Sequence, residues 1–299
     1  MKIDFCTSHS LSMFKILTIA LILFSFIPIT RARGGDHKHT KWEFNGMIQR
    51  LVADGFSKEK IKKLYKDPRV FFNPKGVSLF FVYSESSLDY DQFLSGKSIK
   101  MASEYMKKYR KQLDSAQDKY GVDKTIITAI ILVETRLGTY LGKRAIINTL
   151  STMASLRDKK VRKLFWESIS SPRRLTKRKF ENKADVKSKW AYSELKALLK
   201  YSARENIDPV SITGSYAGAM GIAQFMPSKA LLLGKDGNQD GHIDLFNHTD
   251  AIYSIANYLK HFGWKPSTTR QAAHKILYKY NHSNYYVDTL LKISDRLKG

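Results

Sequence analysis

The stretch KTIITAIILVETRLG, residues 124–138, decides how this chain folds. Its central run, 126–133, is apolar on nearly all sides, which predicts a helix buried in a core. Glu134 follows directly and lies at the edge of that core. Partial desolvation at such a position makes a carboxyl group a candidate proton donor near neutral pH. The alternative is a helix-end glutamate that pairs with Arg136 or Lys143.

Helical spacing continues on both sides of this stretch. Two helices are predicted between residues 41 and 66, with Ser57 capping the second, and one long helix is predicted over 99–119. Asp123 is expected to cap the buried helix, whereas 67–88 is less regular because prolines interrupt it. No repeat and no alternating strand series is visible, so the fold class is mainly α with a small β element. Further helices are predicted at 144–155, 158–169, 188–204, 249–262, 267–279 and 283–297.

Composition indicates a folded, basic protein. Hydrophobic residues make up 43% and aromatic residues 12% of 299 residues, which argues against disorder. The 51 Lys and Arg against 27 Asp and Glu give a formal charge of +24, which favours an anionic partner: nucleic acid, a lipid surface or an acidic polymer.

The N-terminus predicts export. Residues 1–32 read as a signal peptide, with two lysines before an apolar run at 16–29 and a cleavage point after Ala32. A run of fourteen residues is short for a membrane span, although an uncleaved anchor is the alternative. Cys6 precedes the apolar run, so a lipoprotein is not predicted. Residues 33–40 read as a flexible leader, and the expected location is the periplasm or cell envelope.

Residues 170–189 hold eight Lys and Arg against two acidic residues. We interpret this segment as a solvated, partly mobile insert. The alternative is that it binds an anionic polymer of the cell envelope.

A strip rich in glycine and alanine, GSYAGAMGIAQFMPS, spans 214–228. Small residues permit the backbone to approach a flat ligand closely. The aromatic, Met and amide side chains among them suit a groove that binds sugar. The alternative is a tight helix-packing segment. A phosphate loop is excluded because no Gly-Lys-Ser/Thr follows. No acidic residue lies between Thr213 and Lys235, so this strip supplies no second catalytic carboxylate.

The acidic loop, residues 236–250, begins with DGNQDGHID. Oxygen ligands at positions 1, 3, 5 and 9 and glycine at position 6 fit an EF-hand calcium loop, whereas a plain Asn/Asp/Gly turn is the alternative. Position 12 is Asn247, so the usual glutamate is missing and Asp250 is expected to replace it. We predict structural Ca²⁺, with Na⁺ as the alternative ion, and no organic cofactor. The predicted ligands are Asp236, Asn238, Asp240, the backbone carbonyl of His242, and Asp250.

Together these motifs resemble the lytic murein transglycosylase B family. The likeness rests on VETRLG at 133–138, on the 214–228 strip, on the acidic loop and on YNHSNYY at 280–286, and it extends over about 41–298. It implies a lysozyme-like α+β core at 116–299 behind an N-terminal helical domain at 41–115. It also implies cleavage of the MurNAc-β-1,4-GlcNAc bond of peptidoglycan without water, leaving a 1,6-anhydro-MurNAc end.

The resemblance also implies roles for single residues. Glu134 would be the only acid/base, and Ser215 and Gln224 would orient the N-acetyl sugar. Lys159 and Lys160 occupy the positions where the family commonly has two arginines. Lysine cannot make the bidentate contact of a guanidinium group, so carboxylates of the substrate should bind less tightly. The further substrate-binding residues implied are Lys159, Lys160, Tyr258, Tyr280 and Tyr286.

Three other functions stay open at this point. A hydrolytic muramidase would need a second carboxylate near the cleft, and none is obvious. A non-catalytic peptidoglycan-binding protein would have no need of Glu134. A secreted nucleic-acid binder rests on charge alone, so glycan strands of peptidoglycan are the expected partner and nucleic acid is not.

Overall fold

A computed structural model describes residues 41–82, 89–169 and 176–299; the predicted signal peptide (1–32) and leader (33–40) lie outside the described residues. The described part is dominated by helices, so the predicted mainly α fold is confirmed. No helix there has the length and hydropathy that crossing a bilayer requires. The helices are α1 (Asn45–Ala53), α2 (Lys58–Lys66), α3 (Pro74–Val82), α4 (Gly96–Lys108), α5 (Arg110–Tyr120), α6 (Lys124–Thr135), α7 (Ile146–Ser155), α8 (Lys159–Ser168), α9 (Lys177–Arg204), α10 (Pro227–Leu233), α11 (His248–His261), α12 (Arg270–Tyr280) and α13 (Asn284–Lys298), with 3-10 turns at Trp42–Phe44 and Asp91–Leu94.

The predicted buried helix is α6. Every residue from Thr125 to Thr135 is buried, and α13, α4, α5 and α11 pack around it. Its N-terminus differs from the prediction, because the side chain of Asp123 caps nothing and instead pairs with Lys298 at 3.0 Å. The Gln117 side chain accepts the Lys124 N–H at 3.0 Å in its place.

Two helix predictions are wrong near the N-terminus. The irregular segment at 67–88 contains α3, because Pro74 occupies the first helical position, where a missing N–H costs nothing. The predicted helix at 99–119 is broken into α4 and α5 at Tyr109. The Tyr109 ring stacks on His248 with centroids 4.5 Å apart, so a tertiary contact accompanies the break.

The basic segment also differs from its prediction. The helix predicted at 188–204 begins at Lys177, so only 170–175 of the segment lie outside the described residues. Phe180 and Ala184 face the core, and the Phe180 ring stacks on Phe165 at 5.9 Å. Two apolar residues among many lysines were too weak a pattern to reveal this buried stripe.

The small β element lies beside the glycine-rich strip. Strand β1 (Arg144–Ala145) pairs antiparallel with β2 (Thr213–Gly214), and isolated bridges then join Gly214 to Met220 and Met220 to Phe225. The strip is therefore a folded-back loop that leads into α10, not a helix-packing segment. Gly214 is required there, because an added Cβ would lie 2.0 Å from the Ala219 carbonyl oxygen.

Candidate active site

Glu134 lies in the last turn of α6 and is only 3% exposed. The Tyr286 hydroxyl, on α13, donates a hydrogen bond to Glu134 Oε1 at 2.7 Å. Burial and the nearby Glu134 carboxylate raise the pKa of Tyr286 well above its ordinary value. Tyr286 therefore stays protonated and serves as a permanent donor to Glu134.

The alternative partner Arg136 points elsewhere. Its guanidinium donates to the Gln92 side chain and lies 5.2 Å from the centroid of the Phe93 ring. Arg136 therefore anchors the end of α6 to the 3-10 turn at Asp91–Leu94.

The predicted tyrosines form one cluster around Glu134. Tyr280 ends α12, stacks on Tyr286 with centroids 6.5 Å apart, and donates to the Ala223 carbonyl at 2.6 Å. Tyr258, on α11, meets Tyr280 edge-on at 4.8 Å and donates to the Lys279 carbonyl at 2.7 Å. Burial raises the pKa of Tyr258 and Tyr280, so both also remain neutral.

The glycine-rich strip brings Gln224 to this cluster. Gln224 has a left-handed backbone (φ 46°), and its side chain donates to the Gly221 carbonyl at 2.8 Å. Ser215 behaves differently: its Oγ accepts the N–H groups of Ala217 and Ala219 at 3.3 and 3.1 Å. Ser215 therefore shapes the loop itself, and its predicted contact with sugar stays a prediction.

A pocket of about 300 Å³ opens beside the tyrosines. Its wall includes Glu194 and Trp190, which the sequence did not reveal. Glu194 is 6% exposed and accepts from both the N–H (2.9 Å) and the hydroxyl (2.7 Å) of Ser228, while burial raises the pKa of Glu194. The lining residues are Trp190, Glu194, Gln224, Phe225, Met226, Ser228, Lys229, Tyr258, Lys279, Tyr280 and His282.

No signal in the sequence marks Glu194, because its partner Ser228 is 34 residues away and Glu194 sits in an ordinary charged helix pattern. Only the packing of α9 against α10 makes it part of the pocket.

The lysine pair lies outside this cluster. Lys159 and Lys160 are exposed and begin α8. The residue before them, Asp158, is the N-cap of α8, and its carboxylate lies near Gly46 on α1. Lys229 and Lys279 line the pocket itself. The half-buried Lys187 adjoins its wall, with Nζ 5.5 Å from the centroid of the Trp190 ring. The predicted role of the pair in substrate binding stays a prediction.

The acidic loop adopts a tight turn held by its own carboxylates. Asp236 accepts the N–H groups of Gln239, Asp240 and Gly241 at 2.6 to 3.2 Å. The buried Asp250, on α11, accepts N–H groups of residues 237, 238 and 244 at 2.7 to 3.3 Å. Burial raises the pKa of Asp250, and the charge of Asp236 adds to the rise.

The loop has the donor chemistry of a calcium site. Across the described ranges, no three His, Cys, Asp or Glu side chains converge as a metal cluster. The predicted set, however, also uses an amide and a backbone carbonyl, and all of its donors are hard oxygens of the kind Ca²⁺ takes. The His242 ring lies 3.8 Å from buried Glu205, and the predicted ligand role of the His242 carbonyl stays a prediction.

Comparison with known proteins agrees with this architecture. A family model described as "Transglycosylase SLT domain" matches residues 39–274. Membrane-bound lytic murein transglycosylase B of Escherichia coli is 34% identical over 173 residues, which are 58% of this chain and 40% of that protein. The matched stretch thus spans less than half of that relative's length.

Two solved structures share the fold. The E. coli lytic transglycosylase Slt35, solved in complex with calcium, is 23% identical, with a TM-score of 0.68 over 86% of this chain and 92% of that chain. SltB3 from Pseudomonas aeruginosa, in complex with NAG-anhNAM-pentapeptide, is 18% identical, with a TM-score of 0.70 over 88% of this chain and 80% of that chain. The predicted lysozyme-like architecture is confirmed. Because the family model covers most of the sequence, this chain belongs to the transglycosylase SLT domain family.

Proposed function

We propose that this protein cleaves the MurNAc-β-1,4-GlcNAc bond of peptidoglycan without water and leaves a 1,6-anhydro-MurNAc end. The observation that carries the proposal is the buried Glu134 carboxyl group, whose Oε1 is fixed by Tyr286 at 2.7 Å. Membership of the transglycosylase SLT domain family supports it, as does the lytic murein transglycosylase relative. The structurally similar SltB3 was solved with a NAG-anhNAM-pentapeptide, which has the same kind of anhydro end.

The first step is protonation of the glycosidic oxygen. Because Oε1 accepts from Tyr286, the neutral Glu134 carries its proton on Oε2 and delivers it to the leaving oxygen. As the C1–O bond breaks, the acetamido group of the same sugar stabilises the positive charge that develops at C1. No second carboxylate is needed to form this intermediate, in contrast to ordinary glycosidases.

The second step returns the proton. The ionised Glu134 removes the proton of the C6 hydroxyl group, and the C6 oxygen attacks C1 to close the anhydro ring. This attack is intramolecular, so it competes well with water in an enclosed site. Tyr286 stays neutral throughout and holds the carboxylate for both transfers.

The pocket supplies the binding contacts in this proposal. Gln224, Tyr258 and Tyr280 line it and would hold the N-acetyl sugar. Lys187, beside Trp190, is placed to meet a carboxylate of the substrate.

The experiment is mass spectrometry of the soluble products after purified sacculi are incubated with the mature protein. We expect anhydro-muropeptides from the wild type and none from Glu134→Gln, which should keep the fold and the affinity for sugar while turnover falls by about 10²- to 10⁴-fold. A Glu134→Gln variant near the wild-type rate would place the acid elsewhere. Sacculus binding without products would favour the non-catalytic alternative.

A hydrolytic muramidase is the second candidate, because Glu194 is a carboxylate in the pocket wall. Both of its oxygens accept from Ser228, so it caps the N-terminus of α10 and is held away from the role of a free base. We expect Glu194→Gln to keep anhydro products. Hydrated reducing ends from the wild type, abolished in Glu194→Gln, would instead establish hydrolysis.

The acidic loop is our proposed site for Ca²⁺, with Na⁺ as the alternative ion. Asp236, Asn238, Asp240, Asp250 and the His242 carbonyl would hold the ion, which would brace the loop and take no part in the chemistry. The Slt35 structure in complex with calcium supports this proposal.

We also propose that the protein acts in the periplasm or cell envelope, exported by residues 1–32 or anchored by them. The membrane-bound relative supports an envelope location.

The basic segment at 170–189 is proposed to contact anionic envelope polymer. The division into domains at 41–115 and 116–299 is retained as a proposal as well; its boundary falls within α5.

A further inference from the structure

Thr135 follows Glu134 directly and is fully buried. Its hydroxyl oxygen lies 3.2 Å from the carbonyl oxygens of both Ile131 and Ile222, and it accepts the N–H of Gly138 at 3.0 Å. One bond stays within α6, whereas the contact with Ile222 reaches the glycine-rich strip 87 residues away. The Thr135 hydroxyl therefore ties the end of the helix that carries Glu134 to the strip that carries Gln224.

The backbone after Thr135 needs such a tie. Arg136, Leu137 and Gly138 have φ values of 46°, 61° and 85°, so three consecutive residues are left-handed. The two non-glycine residues are strained in this conformation, because their Cβ atoms crowd the backbone. A conformation of that kind persists only where its surroundings hold it, and the Gly138 N–H bond to Thr135 is one of the contacts that do so.

The contact with Ile222 closes a circuit around the acid. The next residue, Ala223, accepts the Tyr280 hydroxyl at 2.6 Å, and the Tyr280 ring stacks on Tyr286. Tyr286 in turn donates to Glu134. The circuit runs through Glu134, Thr135, Ile222, Ala223, Tyr280 and Tyr286. Peptide bonds join Glu134 to Thr135 and Ile222 to Ala223, and side-chain contacts make the other four links.

We propose that Thr135 is a positioning residue, which fixes the Glu134 carboxyl group relative to Gln224 and the pocket by closing this circuit. The inference rests on the proposed function, because positioning has a meaning only if Glu134 transfers protons. Without the Thr135 hydroxyl, the direct tie between the end of α6 and the strip would be lost, while the hydrogen bond from Tyr286 to the carboxyl group would remain.

Thr135→Val tests the positioning role, because valine removes the hydroxyl group and keeps the shape of the side chain. Thr128→Val is the matched control. Thr128 is also fully buried on α6, and among the residues that the structure describes its hydroxyl bonds within the helix, to the Lys124 carbonyl at 2.8 Å. We expect Thr135→Val to lower kcat on soluble peptidoglycan fragments by about 10- to 100-fold, since a small misplacement of a reacting group costs that much. KM should stay near the wild-type value, and Thr128→Val should leave both constants unchanged.

Rescue and coupling separate positioning from a loss of folding. Thr135→Ser restores the hydroxyl and should recover most of kcat, even if Thr135→Val lowers the melting temperature. Tyr280→Phe breaks the same circuit at Ala223, so the double variant with Thr135→Val should lose about as much as the worse single variant. Three results would each overturn the inference. The double variant could lose the product of the two single losses in kcat, Thr135→Ser could fail to recover kcat, or Thr135→Val and Thr128→Val could have equal kcat values. A wild type that forms no products would instead overturn the proposed function, and the inference with it.

Discussion

The Glu134 cluster and the acidic loop both hold carboxylate groups by hydrogen bonds, but the donors come from different distances along the chain. In the loop, the donors to Asp236 are backbone N–H groups three to five residues away. In the cluster, Glu134 accepts from the side chain of Tyr286, 152 residues away. The loop's turn is thus a property of a short sequence, whereas the geometry of the acid is a property of the whole fold.

The two regions also meet. Ile222 of the glycine-rich strip donates its N–H to the Leu245 carbonyl, within the acidic loop, at 2.8 Å. Gly221 permits this approach, because an added Cβ would lie 2.4 Å from that same carbonyl oxygen. If the two regions have these separate roles, substitutions in the Glu134 cluster should mainly lower turnover. Substitutions in the acidic loop should mainly lower stability and the response to calcium.

Tyr286→Phe should have the largest effect among the following variants. It removes the hydrogen bond to Glu134 and leaves the ring in place, and a bond to a charged group is worth about 1.5–3 kcal/mol. We therefore expect kcat to fall about 10- to 100-fold, measured as release of soluble muropeptides, with a small change in melting temperature. A large loss of stability without a loss of kcat would show that the tyrosine serves packing alone. Tyr285→Phe, on the exposed neighbour, is the control.

Asp240→Ala should test the loop. In the presence of calcium we expect a lower melting temperature and a flattened dependence on calcium, because a bound ion stabilises only the state that binds it. Asp118→Ala, an exposed aspartate on α5, is the control. Equal melting temperatures for the wild type in calcium and in chelator would leave the loop as a plain turn.

The same residue predicts a pH dependence without calcium. The backbone N–H of His242 lowers the pKa of Asp240 in the folded protein. Its stabilising contribution is therefore present above the unfolded pKa and is lost as the pH falls through the folded value. Unfolding in chelator across acidic pH should show a shallower loss of stability for Asp240→Ala than for the wild type; parallel curves would contradict the predicted shift.

The smallest effect is expected at the start of α9. Replacing Lys177, Arg178 and Lys179 with glutamine should weaken binding to sacculi at low salt by less than about tenfold, and salt should remove the difference. Substitution is preferable to deletion, because Phe180 belongs to the core. The charge-matched control is the triple glutamine variant of Lys58, Lys62 and Lys63 on α2. Binding that is unchanged, or equally weakened by the control, would contradict a specific role.

Much of the fold could be predicted, and the failures have physical causes. The apolar run at 126–133 has no other stable place than a core, so α6 was predictable from its composition. The start of α9 was not, because its buried stripe consists of a few residues among many lysines. The break at Tyr109 accompanies its contact with His248, 139 residues away, which no local pattern contains.

For the site, the sequence by itself indicated the candidate acid Glu134, the strip with Gln224 and the turn of the acidic loop, and the family resemblance added the tyrosines. The turn of the acidic loop is the clearest case, because its backbone contacts to Asp236 lie within a few residues. Only the tertiary structure decided that Tyr286 donates to Glu134, that Glu194 lines the pocket, and that Lys159 and Lys160 lie outside the cluster. The physical reason is range: hydrogen bonds between neighbouring residues follow from the sequence, whereas bonds between distant side chains depend on how the helices pack.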